Sequence, residues 1–171
     1  MNDHELAHHL ADLAGSGLLA LRDSSPDADA KEIGKEGDRS ANTVLLVALA
    51  EARPDDAVFS EEKIIDPLDG TREYGERRAD WGVHVALWER GSGLVAGAVA
   101  LPSQGVTLST VGVEQRPATT GRTPLLVVSR TRPPAWGPDA AAAIGGQLEP
   151  MGSVGAKVSS SVLGHTDAYV T

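Results

Sequence analysis

The 171-residue chain contains no cysteine. Without thiols it can form neither a disulfide framework nor a zinc–thiolate site, and it has no thiol nucleophile. Aromatic residues make up only 4% of the chain, with a single Phe, so the stacking platforms of single-strand nucleic-acid binders are missing. No apolar run approaches the ~18 residues that a membrane span needs. These absences argue against a disulfide-rich protein, a zinc–thiolate protein, a thiol-dependent enzyme, a single-strand nucleic-acid binder and a membrane-spanning protein.

Positive charge is also scarce, with 15 Lys and Arg against 24 Asp and Glu, a formal net charge of −9. This balance argues against a nucleic-acid polymer or an anionic membrane as the partner. A phosphorylated small molecule stays possible, because metal ions can supply local positive charge. The first ten residues carry acids and His instead of a basic segment followed by an apolar one. We therefore expect no signal peptide and a cytoplasmic enzyme.

Hydrophobic periodicity predicts an α/β (α+β) protein with antiparallel pairing first and strand–helix alternation later. We expect lobes at 1–118 and 119–171, joined at a connector rich in Gly, Pro and Thr. In the hairpin predicted over 82–101, His84 is expected to be a packed strand residue rather than a base. The predicted helices cover 6–21, 40–52, 138–144 and 153–163, and the predicted strands cover 57–60, 63–65, 125–128, 147–150 and 168–170.

The most informative stretch is Ser60-Glu61-Glu62, followed closely by Asp66-Pro67-Leu68-Asp69-Gly70-Thr71. We expect a tight turn after a strand, because Pro67 fixes its φ angle and Gly70 allows a sharp reversal. Both Asp side chains and the Leu68 carbonyl can then point at one place, and oxygen ligands are what Mg²⁺ prefers. Glu61 adds a third carboxylate near the same point, and so much negative charge in one place requires bound cations. The alternative is an acidic loop with a helix cap.

These residues resemble the lithium-sensitive, magnesium-dependent phosphatase superfamily. It holds inositol monophosphatases, fructose-1,6-bisphosphatases and 3′(2′),5′-bisphosphate nucleotidases. The motif Asp-Pro-[hydrophobic]-Asp-Gly-[Thr/Ser] is complete at 66–71, and the resemblance extends from the segment Lys35-Glu36-Gly37-Asp38 to Tyr169. It implies the layered αβαβα sandwich of the lithium-sensitive sugar phosphatases, with an incomplete second lobe here. It also implies inhibition by lithium.

The resemblance assigns roles to the matching residues in the first lobe. The Mg²⁺ ligands, for two or three ions, would be Glu61, Asp66, Asp69 and the Leu68 carbonyl. Thr71, with Glu62 nearby, would orient the metal-bound water, and Asp38 would lie near a third, weaker metal. The backbone amides of Gly70 and Thr71 would receive the phosphate. The chemistry would be an in-line displacement without a covalent phosphoenzyme.

Three further segments resemble the bisphosphate nucleotidase branch, in particular the actinobacterial form of the CysQ type. Arg72-Glu73-Tyr74 follows Thr71, where inositol phosphatases usually continue with Thr-Asn-Phe. Ser129-Arg130-Thr131-Arg132 is similar to a segment that lines the nucleotide pocket, and 152–157 is similar to a Gly-Ser-x-x-x-Lys segment that contacts phosphate. The implied substrate-binding residues in the second lobe are Arg130, Arg132, Ser153 and Lys157. A solvated loop for the arginines and an exposed helical Lys157 are the alternatives.

Two departures from the family pattern bear on function. Only residues 63–65 separate the Glu pair from Asp66, where relatives carry a longer segment. Relatives also continue beyond the equivalent of Thr171 with a Trp-Asp-x-x-Ala-Pro motif whose Asp is another metal ligand. We therefore expect the chain to be a piece of a longer protein.

The resemblance implies removal of the 3′-phosphate from adenosine 3′,5′-bisphosphate, giving AMP and phosphate in sulfate assimilation. The sulfated precursor of that compound is a second candidate substrate. An alternative is an inositol-1-phosphate or fructose-1,6-bisphosphate phosphatase. An alternative of another class is a catalytically incomplete nucleotide-binding protein, because the terminal metal-ligating Asp is missing. In each case the partner is a small molecule, and a homodimer is an option that is common in the family.

Overall fold

A computed structural model describes residues 1–55, 65–111 and 121–171 of the chain. It divides the chain into two compact units, Met1–Val113 and Glu114–Thr171. The expected strand at 57–60 and the expected lobe boundary after residue 118 lie outside the described residues.

Two long helices form one side of the first unit. Helix α1 spans Asp3–Ser24 and begins with a capping box, in which the side chains of Asn2 and Glu5 each accept a hydrogen bond from the other's backbone amide at 2.9 Å. Helix α2 spans Ala30–Ala52 and begins after Asp29, whose carboxylate accepts hydrogen bonds from the next turn. The two helices pack against each other along their apolar faces.

An antiparallel sheet completes the first unit, with its strands side by side in chain order. The strands are β1 (Ile65–Asp69), β2 (Gly82–Glu89), β3 (Gly93–Leu101) and β4 (Val106–Ser109). The short helix α3 (Thr71–Gly75) follows β1, and a 3₁₀ turn at Pro102–Gln104 follows β3. Helix α1 packs on β2 and β3, whereas α2 packs on β1 and α3. The core between these layers therefore lies directly beneath the acidic motif.

The second unit alternates strands and helices. Its elements are β5 (Leu125–Ser129), α4 (Gly137–Ala143), β6 (Gln147–Met151), α5 (Val154–Val162) and β7 (Ala168–Val170). The three strands are parallel in the order β6-β5-β7. This arrangement confirms the predicted change from antiparallel pairing to strand–helix alternation. It also brings the carboxyl ends of all three strands to one edge of the sheet.

Two predictions about elements are wrong. Helix α2 begins at Ala30 instead of residue 40, so the segment around Asp38 is helical. The first four residues of the acidic motif, 66–69, belong to β1 instead of a turn. Strand β4 had no sequence prediction at all. These differences place Asp38 and the motif on regular elements, which hold side chains more firmly than loops do.

Candidate active site

The acidic motif contains an irregularity in the β1–β2 ladder. Asp66 pairs with His84 and Asp69 with Gly82, and the register shifts between these two pairs. Pro67 lies within the shift and has no amide hydrogen to donate to the ladder. Such bulges are common beside active sites, because they redirect side chains from the usual alternation of a strand.

The chain reverses at the end of β1 through Gly70, whose φ of 86° and ψ of 39° are left-handed. Glycine adopts this conformation without steric cost. Helix α3 begins at Thr71, and the Thr71 hydroxyl donates a hydrogen bond of 3.0 Å to the Leu68 carbonyl. A carbonyl oxygen has two lone pairs, so this contact leaves the Leu68 oxygen able to accept a second ligand.

The carboxylates around the motif affect one another. Asp66 is exposed on its outer side, yet the protein around it desolvates the carboxylate and raises its pKa. The negative charge of Asp69 raises the pKa of Asp66 further, and that of Asp38 from α2 adds a smaller effect. His84 and a 3.3 Å hydrogen bond from the Leu68 amide act in the opposite direction. A bound cation would relieve this repulsion, and carboxylate and carbonyl oxygens fit Mg²⁺.

The residues that the structure describes at this site do not supply a full set of metal ligands. Within residues 1–55, 65–111 and 121–171, no three Asp, Glu or His side chains form a group that could hold a metal ion. The predicted ligand Glu61 and its neighbour Glu62 lie outside these ranges. The structure thus brings together Asp66, Asp69 and the Leu68–Thr71 contact, with Asp38 within electrostatic reach.

His84 is a residue near the motif that the sequence did not assign to the site. Its Nε2 atom lies 3.2 Å from Oδ2 of Asp69, and the two side chains are 31% and 14% exposed. Strand pairing is the signal that could have identified His84. The hairpin strand that pairs with the motif has side chains that lie beside the side chains of the motif.

The second unit places its predicted binding residues after two neighbouring parallel strands. Arg130 follows β5, and its amide donates a hydrogen bond of 3.0 Å to the carbonyl of Met151 at the end of β6. Ser153 lies two residues beyond the end of β6 at Met151, so the two connections follow neighbouring strands. Arg132 is exposed, with its amide bonded to the Ser129 hydroxyl at 3.2 Å. In α/β sheets, ligands bind at these carboxyl ends of parallel strands.

Ser153 and Lys157 are both buried at the start of α5. Ser153 caps the helix by accepting a hydrogen bond from the Ala156 amide at 2.9 Å, and its φ of 41° is strained for a residue other than glycine. Lys157 is only 5% exposed, with Nζ 5.0 Å from the centre of the Tyr169 ring. The alternative of an exposed helical lysine is therefore wrong. Among the described residues, Lys157 has no carboxylate partner.

In the described ranges, no helix is both long enough and apolar enough to cross a membrane.

Comparisons with known proteins show which proteins this chain is similar to. The chain is 38% identical to the 3′-phosphoadenosine 5′-phosphate phosphatase of Mycobacterium leprae, over 99% of this chain and 72% of the relative. It is 28% identical to the 3′(2′),5′-bisphosphate nucleotidase CysQ of Escherichia coli K12, over 71% of this chain and 61% of that protein. The first alignment runs over 195 positions, more than the 171 residues here, so the relative carries residues without a counterpart in this chain.

A solved structure and a family model also match this chain. The 2′AMP-bound crystal structure of SaIMPase-II, a staphylococcal protein, superimposes with a TM-score of 0.77 at 17% identity, over 100% of this chain and 74% of that one. This likeness confirms the predicted fold class. The model of the inositol monophosphatase family matches residues 7–133. The chain therefore belongs to the inositol monophosphatase family, the family that its acidic motif predicts.

Proposed function

We propose that this chain is a Mg²⁺-dependent phosphatase that removes the 3′-phosphate of 3′-phosphoadenosine 5′-phosphate, giving AMP and inorganic phosphate. The observation that carries the proposal is the complete motif at 66–71, folded as a strand, a left-handed Gly70 and a helix start. The M. leprae relative, aligned over nearly the whole chain, is named for this activity. A place in sulfate assimilation and in the cytoplasm follows as an expectation.

The metal centre would use Asp66, Asp69 and the Leu68 carbonyl, together with Glu61 by sequence. Bound Mg²⁺ would supply two things, a water of lowered pKa and neutralisation of charge on the leaving oxygen. The protein's own part is positioning. The Thr71 hydroxyl, already fixed against the Leu68 carbonyl, would orient the attacking water with Glu62. We assign Asp38 to a third, weaker ion, so that two or three ions bind in all.

Phosphate would be received at the start of α3. The backbone amides of Gly70 and Thr71 are at the turn where β1 gives way to that helix, and oriented amides of this kind favour oxyanions. The substrate's second phosphate requires a second cationic site. Buried Lys157 supports such a site, because its side chain is held within the protein and its ammonium has no carboxylate partner among the described residues, which leaves it able to bind an anionic ligand.

Arg130, Arg132 and Ser153 would complete this second site. Arg130 and Ser153 lie in adjacent connections at the carboxyl edge of the parallel sheet. Strained backbone at Ser153 fits a binding role, since such strain is concentrated at functional sites.

Two other functions are the alternatives. A phosphatase for an inositol or fructose phosphate would use the same metal chemistry, and such enzymes belong to the same family. A catalytically incomplete nucleotide-binding protein is the alternative of another class. A homodimer stays a prediction.

The test is the rate of phosphate release from 3′-phosphoadenosine 5′-phosphate, inositol 1-phosphate and fructose 1,6-bisphosphate at saturating Mg²⁺. We expect the adenosine bisphosphate to have the highest kcat/KM. The variant Lys157→Met should raise KM for this substrate about 10- to 100-fold, the loss of one hydrogen bond to a charged group, with little change in kcat. Its KM for inositol 1-phosphate should be unchanged, because that substrate has no second phosphate.

Arg90→Met is the matched control, since Arg90 is an exposed cation in the turn between β2 and β3. It should leave all three substrates unaffected. A preference for inositol 1-phosphate would contradict the proposed substrate while keeping the metal chemistry. Equal effects of Lys157→Met on mono- and bisphosphates would contradict the second phosphate site.

A further inference from the structure

The β1–β2 pairing places one histidine between the two aspartates of the acidic motif. His84 is the cross-strand partner of Asp66, and its ring reaches towards Asp69, with 3.2 Å between Nε2 and Oδ2. The imidazole is therefore adjacent to both carboxylates that the motif contributes to the proposed metal centre. The sequence prediction of a packed strand residue does not include this contact with the motif.

The contact with Asp69 is the feature that distinguishes His84 from an ordinary strand residue. The Asp69 side chain is only 14% exposed, and a carboxylate so desolvated needs polar partners. The His84 Nε2 atom is itself buried, and within the described part of the chain it makes no hydrogen bond of regular geometry. Its separation of 3.2 Å from Oδ2 of Asp69 is at the upper end of the hydrogen-bond range, so Asp69 is placed to satisfy this buried atom.

We propose that His84 is a positioning residue of the metal centre, whose Nε2–H holds the Asp69 carboxylate in the orientation that binds the cation. Ligating carboxylates in metal sites are themselves held by outer hydrogen-bond partners, and losing such a partner costs roughly 10- to 100-fold in metal affinity. This inference rests on the proposed metal-dependent function. His84 acts through Asp69 and does not touch the substrate.

The test is isothermal titration of the full chain with MgCl₂, comparing the wild type with His84→Leu and His84→Gln. Leucine fills similar space without a donor, whereas the glutamine amide nitrogen is as many bonds from Cβ as Nε2 of histidine. We expect His84→Leu to weaken Mg²⁺ binding about 10- to 100-fold and His84→Gln to restore most of the affinity. In turnover assays, the deficit of His84→Leu should shrink as Mg²⁺ is raised to saturation.

The described part of the chain offers a matched control in a second His–Asp pair. His8 lies 3.2 Å from Asp12 on the surface of α1, the same separation as in the His84–Asp69 pair. The variant His8→Leu should bind Mg²⁺ like the wild type. Circular dichroism and thermal unfolding of each metal-free variant establish that the titrated protein is folded.

The outcomes separate this inference from the proposed function. Wild-type Mg²⁺ affinity in folded His84→Leu would overturn the positioning role and leave the metal centre intact. Equal weakening in the Leu and Gln variants would also overturn it, since that pattern indicates packing of the ring instead of hydrogen bonding. A wild-type chain that does not bind Mg²⁺ would contradict the metal centre itself and this inference with it.

Discussion

At the scale of single residues, Asp66 combines a cost to the fold with a benefit to function. Its carboxylate is partly desolvated and is repelled by Asp69 and Asp38, so the charged form is disfavoured in the metal-free protein. The same crowding of carboxylates attracts a divalent cation. The sequence motif predicts this cluster of charge, but the electrostatic effect of Asp38 on Asp66 depends on how α2 packs against β1.

Asp66→Asn should abolish Mg²⁺-dependent turnover. The amide keeps the size of the side chain but removes a negative ligand, and with it about 4 kcal/mol of transition-state stabilisation, or about a 1000-fold loss in kcat/KM. Steady-state phosphate release measures this loss. Asp27→Asn, at an exposed carboxylate in the turn between α1 and α2, is the control and should retain full activity. Unchanged rates in Asp66→Asn would refute the metal-site assignment.

The raised pKa of Asp66 also predicts how the stability of the metal-free chain depends on pH. Above the ordinary pKa of 3.8, the unfolded state releases this proton before the folded state does. The contribution of Asp66 to the free energy of unfolding therefore falls as the pH rises through the raised pKa, and it is fully unfavourable above it. In EDTA, Asp66→Asn should accordingly be more stable than the wild type at neutral pH.

Thermal unfolding at several pH values measures this difference, which should disappear below pH 3.8. Adding Mg²⁺ at neutral pH should raise Tm of the wild type more than that of Asp66→Asn, because the ion binds the folded state of the wild type more tightly. A variant less stable than the wild type at neutral pH in EDTA would contradict the assigned electrostatics.

At the scale of elements, local patterns predicted the second unit better than the first. The helices and strands after residue 121 have strong periodicity or clear caps, such as Ser153 at the start of α5. The start of α2 was missed because Gly34 and Gly37 lower helix propensity. Tertiary packing explains why glycine occupies these helix positions, since a Cβ at Gly34 would lie 3.0 Å from the Thr71 carbonyl. The strand character of the motif depends on pairing with β2, which local sequence does not show.

Gly37 and Gly17 offer a matched pair of helix glycines. A Cβ at Gly37 would lie 2.8 Å from Cε1 of Tyr74 and 3.2 Å from Cδ2 of Leu68, whereas one at Gly17 would meet nothing within 4 Å. Gly17→Ala should raise the free energy of unfolding by about 0.5–1 kcal/mol, the ordinary helix gain. Gly37→Ala should lower it by about 1–2 kcal/mol, because overpacking exceeds that gain.

Chemical denaturation of the two variants measures both changes. Because Leu68 belongs to the motif and Tyr74 lies in the helix that follows it, Gly37→Ala should also reduce kcat, whereas Gly17→Ala should leave the kinetics unchanged. Stabilisation by both substitutions would show that α2 does not pack closely against α3.

At the scale of the whole molecule, the chain has two units with different chemistry. The first carries the acidic motif on an antiparallel sheet, and the second carries buried Lys157 and strained Ser153 at the edge of a parallel sheet. A family motif predicts which residues such a site uses, because each has a fixed spacing in the chain, and these assignments stay predictions. It predicted neither the burial of Lys157 nor the contact of His84 with Asp69, because both depend on elements distant in sequence.

The measurement that tests the central claim most directly is phosphate release from 3′-phosphoadenosine 5′-phosphate by the purified chain, with MgCl₂ and with EDTA. We expect turnover with Mg²⁺ that disappears in EDTA and returns when Mg²⁺ is added again. A folded chain that binds this nucleotide but releases no phosphate with Mg²⁺ would contradict the claim. It would identify the chain as a catalytically incomplete nucleotide-binding protein.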